Sequence, residues 1–341
     1  MRLQHRPLEL HTIFEFRIAH GAKRAHVNTL VTIEHDGVTG VGEAAPSHYY
    51  GETTELVQAA LDAWAPHLGD DPFALDAIAA RLDGVLQGNT AARAGIETAL
   101  HDWIGKRLGQ PVWRLFGLDP SRTPLSCVTL GMADPAEMER KLETVRDFPM
   151  IKVKLGGPGD VENLRRIRAN YKGKLQVDAN TAWNAADAVR VLRLIEPLGI
   201  ELVEQPVPRG DLDGLRWVRE RSPIPVFADE SAHSLHDVGL LAGRVDGINL
   251  KLMKTGGLRE MRRMIEAARA HGMKVMLGSM VESSLALSAA AQLAPLVDYL
   301  DLDGHWLLKD DPFDGAPGER GLIRLNDRPG LGVVPSGAAT R

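Results

Sequence analysis

Short apolar segments that end in charged residues alternate with amphipathic segments along the last two-thirds of the chain. Segments such as VENLRRIRANY and LREMRRMIEAARAHG repeat apolar residues at three- and four-residue spacing, which is typical of amphipathic helices. The apolar segments between them predict eight strands, near residues 126–130, 150–154, 175–179, 200–204, 225–229, 246–251, 274–278 and 298–302. Eight strands in strict alternation with helices favour a closed parallel barrel over an open sheet.

The first 48 residues or so have a different pattern, in which apolar and polar positions alternate. The two clearest stretches are HTIFEFRI and NTLVTIEH, and a turn at Asp36–Gly37 follows the second. Such alternation predicts strands of an antiparallel meander. Between the two stretches we expect a polar loop, Ala19 to His26.

From Thr53 to about Phe116 the spacing of apolar residues becomes helical, and Gly109 stands where a helix C-cap belongs. We therefore expect an α+β domain in the first third of the chain. The tail is rich in Gly and Pro and should leave the barrel to pack on that domain. The predicted units are an α+β domain over 1–124, a barrel over 125–315 and a tail over 316–341.

Composition narrows the class of protein. The chain has 341 residues, 44% of them hydrophobic and 25% charged, as is ordinary for a globular protein with a large core. A formal charge of −5 provides no basic field for nucleic acid or an anionic membrane. The first residues lack the apolar core of a signal peptide, and no apolar run reaches the roughly 18 residues of a membrane span. With a single cysteine, Cys127, these features predict a cytoplasmic protein.

Five predicted strands in succession carry a charged residue with inward parity at or near their carboxyl ends. These residues are Lys154, Asp178, Glu204, Asp229 and Lys251, at steps of 24, 26, 25 and 22 residues. Each step has the length of one βα unit, and the carboxyl ends of barrel strands meet at one mouth. A single strand-end charge is commonly just a solvated residue, but five with the same parity predict a site.

The residue types at this mouth indicate metal-assisted proton transfer. Three carboxylates are hard oxygen ligands of the kind that suits Mg²⁺. Lys152 shares a face with Lys154, and a neighbouring positive charge favours the neutral, basic form of a lysine. Lys154 and Lys251 should lie on opposite sides of the metal, which would stabilise the enediolate formed when a proton leaves the carbon beside a carboxylate. If one lysine removes that proton and the other returns a proton to the opposite face, the carbon is inverted. The residues therefore predict epimerisation or racemisation.

At these residues the chain resembles the enolase superfamily and, within it, the muconate-lactonising subgroup. The resemblance covers nearly the whole length and rests on Lys152-Val-Lys154, Asp178-Ala-Asn180, Glu204-Gln-Pro206, Asp229-Glu-Ser231, and Asn249-Leu-Lys251 followed by Gly256-Gly257. It implies a modified (β/α)₇β barrel beneath an α+β capping domain. It also implies one Mg²⁺ per subunit, held by the three carboxylates, with Lys154 and Lys251 as the acid/base pair. Relatives are often homo-oligomeric.

Within this subgroup, Asp301-Leu-Asp303 at the end of the eighth strand favours a dipeptide epimerase, since members with that activity bind the substrate's α-ammonium group with such an Asp-x-Asp. The resemblance implies an L-Ala-D/L-Glu type of reaction at the C-terminal residue, with Lys152 on the substrate carboxylate. Alternatives in the superfamily are an N-acylamino-acid racemase and an o-succinylbenzoate synthase, whose substrates carry no ammonium group. A non-catalytic barrel that binds a ligand is the alternative from another class.

The capping domain should supply specificity. In relatives that act on alanyl-glutamate, a basic residue of the first loop meets the side-chain carboxylate, a role that Arg24 or Lys23 could fill if neither is merely solvated. Residues 47–53, SHYYGET, resemble a second loop over the mouth. Glu282, just after the seventh strand, either contacts the substrate or caps a helix. Glu230 has the opposite parity to Asp229 and should lie outside the ligand set.

Overall fold

The computed structural model describes residues 1–18 and 21–337, except for the side chains of residues 15–18 and 21–23. The first part of the chain forms an antiparallel sheet in the order β1-β2-β3, followed by helices that cover it. Its elements are β1 (Arg2–Ile18), β2 (Gly21–His35), β3 (Val38–Ala44), α1 (Thr54–Trp64), α2 (Leu75–Val85), α3 (Thr90–Leu108) and α4 (Val112–Leu115).

The first two strands form one long hairpin, and the expected loop from Ala19 to His26 is wrong in its extent. Ala19 and His20 lie outside the described residues, but residues 21–26 belong to β2, and Ile18 pairs with Gly21. The ladder is bonded through the main chain, so a polar stretch can continue a strand that is already paired. For this reason the alternation of side chains predicted both strands to be shorter than they are.

The helices predicted for the capping domain are confirmed, both in their positions and in the residues at their ends. Thr53 caps α1, its side chain accepting a hydrogen bond from the main-chain nitrogen of Leu56 at 3.2 Å. At the other end of the helical region, α3 stops at Leu108 because Gly109 takes a left-handed conformation with φ of 66°. The core of this domain is the interface of α3 with β2 and β3.

The rest of the chain forms the predicted barrel. Eight parallel strands follow one another in sequence order, and a bridge between Ser126 and Leu300 brings the last strand beside the first. The Cys127 main-chain nitrogen donates to the Leu300 oxygen at 2.9 Å, so the barrel is nearly closed. The strands are β4 (Val128–Leu130), β5 (Met150–Lys154), β6 (Lys174–Asp178), β7 (Ile200–Glu204), β8 (Val226–Ala228), β9 (Gly247–Lys251), β10 (Lys274–Gly278) and β11 (Tyr299–Asp301).

Helices surround the barrel and the tail returns to the capping domain. Inside the barrel, Leu202, Phe227 and Met276 form a small buried cluster, whereas the helices bury their apolar faces against the outside of the strands. The tail reaches α4, where the Val112 main-chain nitrogen donates to the Gly330 oxygen at 2.9 Å. The remaining elements are α5 (Pro135–Val145), α6 (Asp160–Asn170), α7 (Ala185–Ile195), α8 (Leu212–Arg219), α9 (Leu235–Leu241), α10 (Leu252–Thr255), α11 (Leu258–Ala270), α12 (Ser284–Ala291), α13 (Gly304–Leu307), β12 (Phe313–Asp314) and β13 (Val334–Pro335).

A buried carboxylate joins the capping domain to the barrel. Glu97 of α3 accepts a hydrogen bond from the Arg259 main-chain nitrogen of α11 at 2.7 Å. Gly257, just before α11, has φ of 141°, and a Cβ there would lie 1.9 Å from the Glu97 carboxylate. The second glycine of the Gly-Gly motif is therefore required by this close approach. Burial raises the pKa of Glu97 to about 7, against the opposing effects of that hydrogen bond and of Arg93.

No helix among the described residues combines the length and apolarity needed to cross a membrane.

Candidate active site

A cavity of about 460 Å³ lies between the carboxyl ends of the barrel strands and the capping domain. Lys154, Asp229 and Lys251 line it from the barrel, and His26 and residues 45–50 line it from the cap. Since the carboxyl ends of all eight strands face this space, residues at the strand ends converge on it. Three of the five strand-end charges predicted from the sequence thus line one cavity together with the cap.

Three carboxylates form its floor. Asp178, Glu204 and Asp229 stand at the ends of consecutive strands, are fully buried, and each places an oxygen within 4.8 Å of the other two. Burial and the charge of Asp178 raise the pKa of Glu204 to about 7. Buried carboxylates this close to one another need a cation, and an all-oxygen donor set fits Mg²⁺.

Amide side chains orient two of these carboxylates. The Asn249 amide nitrogen donates to Glu204 Oε1 at 2.7 Å, and the Asn180 amide nitrogen donates to Asp178 Oδ2 at 3.2 Å. Asn180 takes a left-handed conformation, with φ of 42°. Metal ligands are commonly held in this way by hydrogen bonds from outside the ligand set. These contacts account for the Asp-Ala-Asn and Asn-Leu-Lys motifs.

Gln205 orients the third carboxylate through the main chain. Its side-chain oxygen accepts hydrogen bonds from the main-chain nitrogens of Asp229 and Ser231, both at 3.0 Å, and its nitrogen donates to Val207. Gln205 also has a positive φ of 33°, an uncommon conformation that persists only where the surroundings enforce it. The position of Asp229 is therefore fixed both by the side chain of Gln205 and by its constrained backbone.

The two predicted acid/base lysines lie at opposite ends of the carboxylate row. Lys154 Nζ is 2.5 Å from Asp178 Oδ2, and Lys251 Nζ is 2.7 Å from Asp229 Oδ2. Both are largely buried, and both line the cavity. Burial lowers the pKa of Lys251, but Asp229 and Glu204 together raise it above its ordinary value. The arrangement places one amine on each side of the space above the floor.

A further lysine beside Asp229, Lys254, was missed in the sequence. Its Nζ donates to Asp229 Oδ1 and to the Asp229 main-chain oxygen, each at 2.6 Å, and to the Asn249 oxygen at 2.8 Å. Burial would raise the pKa of Asp229, but Lys251 and Lys254 hold it well below the usual range. The signal was available, since Lys254 follows Lys251 by three residues in an apolar segment and a buried lysine needs a partner.

Asp301 and Asp303 form a second carboxylate pair across the cavity. Lys152 Nζ bonds Asp301 closely and lies 3.0 Å from Glu204 Oε2, so it links this pair to the floor. Asp303 Oδ2 accepts from the Thr129 main-chain nitrogen at 2.6 Å. Burial and the charge of Asp301 raise the pKa of Asp303 to about 6, whereas Lys152 helps to hold the pKa of Asp301 below its usual range despite burial.

Two further glutamates have different surroundings. Glu230 lines the cavity and accepts from the Asn180 amide at 3.3 Å, but it is not part of the carboxylate cluster. Burial and the charge of Asp229 raise the pKa of Glu230 to about 8. Glu282 is fully buried beside the cavity residues Met280 and Val281, and its Oε1 accepts from the Met280 main-chain nitrogen at 2.9 Å. Burial likewise raises the pKa of Glu282 to about 8.

On the cap, His26 and the segment Ser47–Tyr50 line the cavity. Arg24 lies two residues before His26 on β2, is exposed, and is not among the residues that line the cavity. The side chain of Lys23 lies outside what the structure describes. A direct role of Arg24 in substrate binding stays a prediction.

The molecule combines a nearly closed α/β barrel, a capping domain, a floor of three carboxylates suited to a metal ion, and two opposed lysines. This combination defines a class of enzyme, the barrel isomerases and lyases that remove a proton from carbon. Comparison with known families agrees. Residues 136–339 match the enolase C-terminal domain-like family, and residues 8–117 match the mandelate racemase/muconate lactonizing enzyme N-terminal domain. The chain belongs to the mandelate racemase/muconate lactonizing enzyme family of the enolase superfamily, which confirms the predicted resemblance and fold.

Relatives with assigned activities cover almost the whole chain. An L-Ala-D/L-Glu epimerase of Bacteroides thetaiotaomicron is 41% identical over 98% of this chain and 88% of its own length. A dipeptide epimerase of Enterococcus faecalis, crystallised with Mg and L-Leu-L-Tyr, has a TM-score of 0.93 and 31% identity, covering 97% of this chain and 98% of that one. The Bacillus subtilis L-Ala-D/L-Glu epimerase, in a substrate-liganded complex, has a TM-score of 0.93 and 30% identity, with 98% of both chains covered.

Proposed function

We propose that this chain is a Mg²⁺-dependent dipeptide epimerase that inverts the α-carbon of the C-terminal residue of a dipeptide, a reaction of the L-Ala-D/L-Glu type. The observation that carries the proposal is the pair of lysines, Lys154 and Lys251, at opposite ends of a buried carboxylate row. The full-length relatives support the same class of reaction and confirm the predicted isomerase.

Asp178, Glu204 and Asp229 would hold the metal ion. When bound, Mg²⁺ supplies positive charge that stabilises negative charge on the substrate carboxylate as the α-proton leaves. Lys152, which is fully buried and 3.0 Å from Glu204, would bind the same carboxylate. The floor thus fixes the end of the dipeptide at which the chemistry occurs.

Lys154 and Lys251 would divide the proton transfer between them. One amine removes the α-proton from one face of the carbon, and the other ammonium returns a proton to the opposite face. Because their partners Asp178 and Asp229 stand on strands β6 and just after β8, with β7 between, the two amines approach from opposite sides. General acid–base catalysis of this kind needs both groups positioned before the reaction begins.

Asp301 and Asp303 would bind the α-ammonium group of the dipeptide. Both are buried and line the cavity. Lys152 pairs with Asp301 and also with Glu204, so it balances only part of the charge of the Asp301–Asp303 pair. A free ammonium group supplies the missing positive charge, whereas an acylated nitrogen does not. This distinction favours a dipeptide over the N-acylamino acids and the succinylbenzoate precursor.

The roles of Arg24 and Glu282 in substrate binding, a cytoplasmic location and a homo-oligomeric state stay predictions. Glu282 is buried behind the cavity wall, so any effect on the substrate would pass through the segment 279–281. Arg24 would have to reach the substrate from the exposed face of the hairpin.

The proposal is tested by incubating pooled L,L-dipeptides with the protein and Mg²⁺ in D₂O and recording a gain of one dalton by mass spectrometry. We expect deuterium uptake in a limited set of dipeptides, with formation of the L,D epimer. Each substrate found is then compared with its N-acetyl derivative, which keeps the reacting carbon but loses the ammonium charge. Faster exchange in the N-acetyl compounds, or exchange only in N-acylamino acids, would assign a racemase instead.

A further inference from the structure

A second cavity, of about 270 Å³, lies next to the active-site cavity. It is bounded by β4, by α5 and residue Phe148 after it, by α13, and by residues 12–14 of the capping hairpin. Thr129 and Leu307 line both cavities. The two spaces are therefore neighbours that meet at the shared wall formed by these two residues.

The shared wall touches the Asp301–Asp303 pair. The Thr129 main-chain nitrogen donates to Asp303 Oδ2 at 2.6 Å, and its hydroxyl lies 3.3 Å from Asp301 Oδ1. In a dipeptide the α-ammonium group and the first side chain are attached to the same carbon. A substrate whose ammonium group is bound by these two carboxylates therefore starts its N-terminal side chain beside this wall.

The second cavity is apolar. Val128 and Leu130 face it from β4, and Phe148 and Trp306 meet edge to face across a ring distance of 5.0 Å. Its one lysine, Lys141, is paired with Glu137 at 3.1 Å. A dry apolar cavity of about 150 Å³ is enough to bind benzene, so this one has room for an isobutyl or benzyl group.

Main-chain contacts connect the capping hairpin to the barrel beside this cavity. The capping hairpin is bridged to the segment after α13, where Thr12 pairs with Leu308 and the Lys309 main-chain nitrogen donates to the His11 oxygen at 2.7 Å. Apolar voids larger than a water molecule are few in folded domains, because they forfeit packing contacts. An apolar cavity of this size beside the proposed ammonium site is suited to a side chain supplied by the ligand.

We propose that the second cavity receives the side chain of the substrate's N-terminal residue, and that the enzyme favours dipeptides with a large apolar N-terminal residue, such as Leu, Met or Phe, over those with Ala. The inference rests on the proposed function, since it uses the Asp301–Asp303 pair as the ammonium site. Val145, at the end of α5, and Leu307 are the specificity-determining residues, because Val145 lines the second cavity alone and Leu307 lines both cavities.

The test measures kcat/KM for a series of dipeptides that share the C-terminal residue found in the D₂O screen and carry Gly, Ala, Leu, Met or Phe at the N-terminus. We expect kcat/KM to be about tenfold or more higher for Leu, Met or Phe than for Ala, which is the range that apolar pockets provide. A maximum at Ala would overturn the inference and leave the proposed function standing. Exchange in no dipeptide would instead overturn the proposed function itself.

Two variants locate the preference. Val145→Trp fills the cavity and should lower the Leu-to-Ala ratio of kcat/KM at least fivefold, whereas Val145→Ala enlarges it and should raise the Phe-to-Leu ratio. The matched control is Val191→Trp on α7, a half-buried helical valine that does not line either cavity and should leave both ratios unchanged. Unchanged ratios in both folded Val145 variants would place the N-terminal side chain elsewhere and overturn the inference. If Val145→Trp does not fold, Val145→Ala decides alone.

Discussion

The floor and the roof of the active-site cavity are built differently. On the floor, each carboxylate stands at or next to a strand end and accepts at least one short hydrogen bond from another barrel residue. The roof comes from a long hairpin and the segment 45–50, whose side chains approach the cavity from a separate domain. The difference indicates that the reaction is determined by the barrel, and that the roof can change its part in the choice of substrate without disturbing that reaction.

The largest effect should come from the floor lysines. Lys154→Ala and Lys251→Ala should each lower epimerisation by about 10³-fold, in the range that a general acid or base contributes. Each variant should still exchange the α-proton of the one epimer whose proton faces the remaining lysine. Exchange in D₂O, followed separately from the L and the D epimer, measures this. Lys174→Ala, at the exposed opposite end of β6, is the control, and normal epimerisation in either floor variant would contradict the two-base arrangement.

A smaller effect is expected from residues that orient the metal ligands. Asn249→Ala removes the hydrogen bond to Glu204, so the affinity for Mg²⁺ should fall by about 10- to 100-fold. Activity titrated with Mg²⁺ after treatment with EDTA should show a higher half-saturating concentration and a recovered maximum rate. Asn170→Ala, on the exposed side of α6, should titrate as the unmodified protein does. An unchanged Mg²⁺ titration in Asn249→Ala would mean that Glu204 needs no such support.

Roof variants should alter selectivity more than the rate of the chemical step. His26→Ala changes the cap side of the cavity, and we expect kcat/KM among dipeptides with different C-terminal residues to shift by about tenfold. The matched control is His67→Ala, which is exposed and remote from the cavity. A uniform loss of rate over all dipeptides would instead assign His26 to the chemistry and weaken the contrast between floor and roof.

The smallest effect on activity is expected at the junction between the two domains, where the predicted change is in stability. Because the folded protein raises the pKa of Glu97 to about 7 from an ordinary value of 4.5, its contribution to stability is present below pH 4.5 and is lost as pH rises through 7. Glu97→Gln should remove this loss, so its free energy of unfolding should exceed that of the unmodified protein by about 1 to 3 kcal/mol at pH 8 and match it near pH 4. Denaturant unfolding at both pH values measures the difference. Equal pH dependence in both proteins would contradict it, and Glu266→Gln, exposed on α11, is the control.

The sequence predicted the floor well because strand parity and repeat spacing determine where a barrel residue points. All eight strands and each of the five charges at or next to a strand end were located from these two rules. Lys254 was missed because it follows its strand on a short helix, where parity no longer applies.

The roof and the second cavity were less predictable. The hairpin extends beyond its alternating segments because main-chain pairing, which side chains do not report, continues it. The second cavity is enclosed by residues from the capping hairpin, β4, α5 and α13, and no local pattern links segments so distant in sequence. Long-range packing decides both features, and packing is what a single sequence conveys least directly.

The near-closure of the barrel has a consequence for the order in which the site assembles during folding. Lys154 and Asp178 are 24 residues apart, whereas Thr129 and Asp303 are 174 residues apart and meet only when the last strand joins the first. Closing the longer loop costs about 2 kcal/mol more in chain entropy. We therefore expect a growing chain to form its metal floor early and the proposed ammonium site last, so that the protein is able to hold its metal before this proposed part of the substrate site is complete.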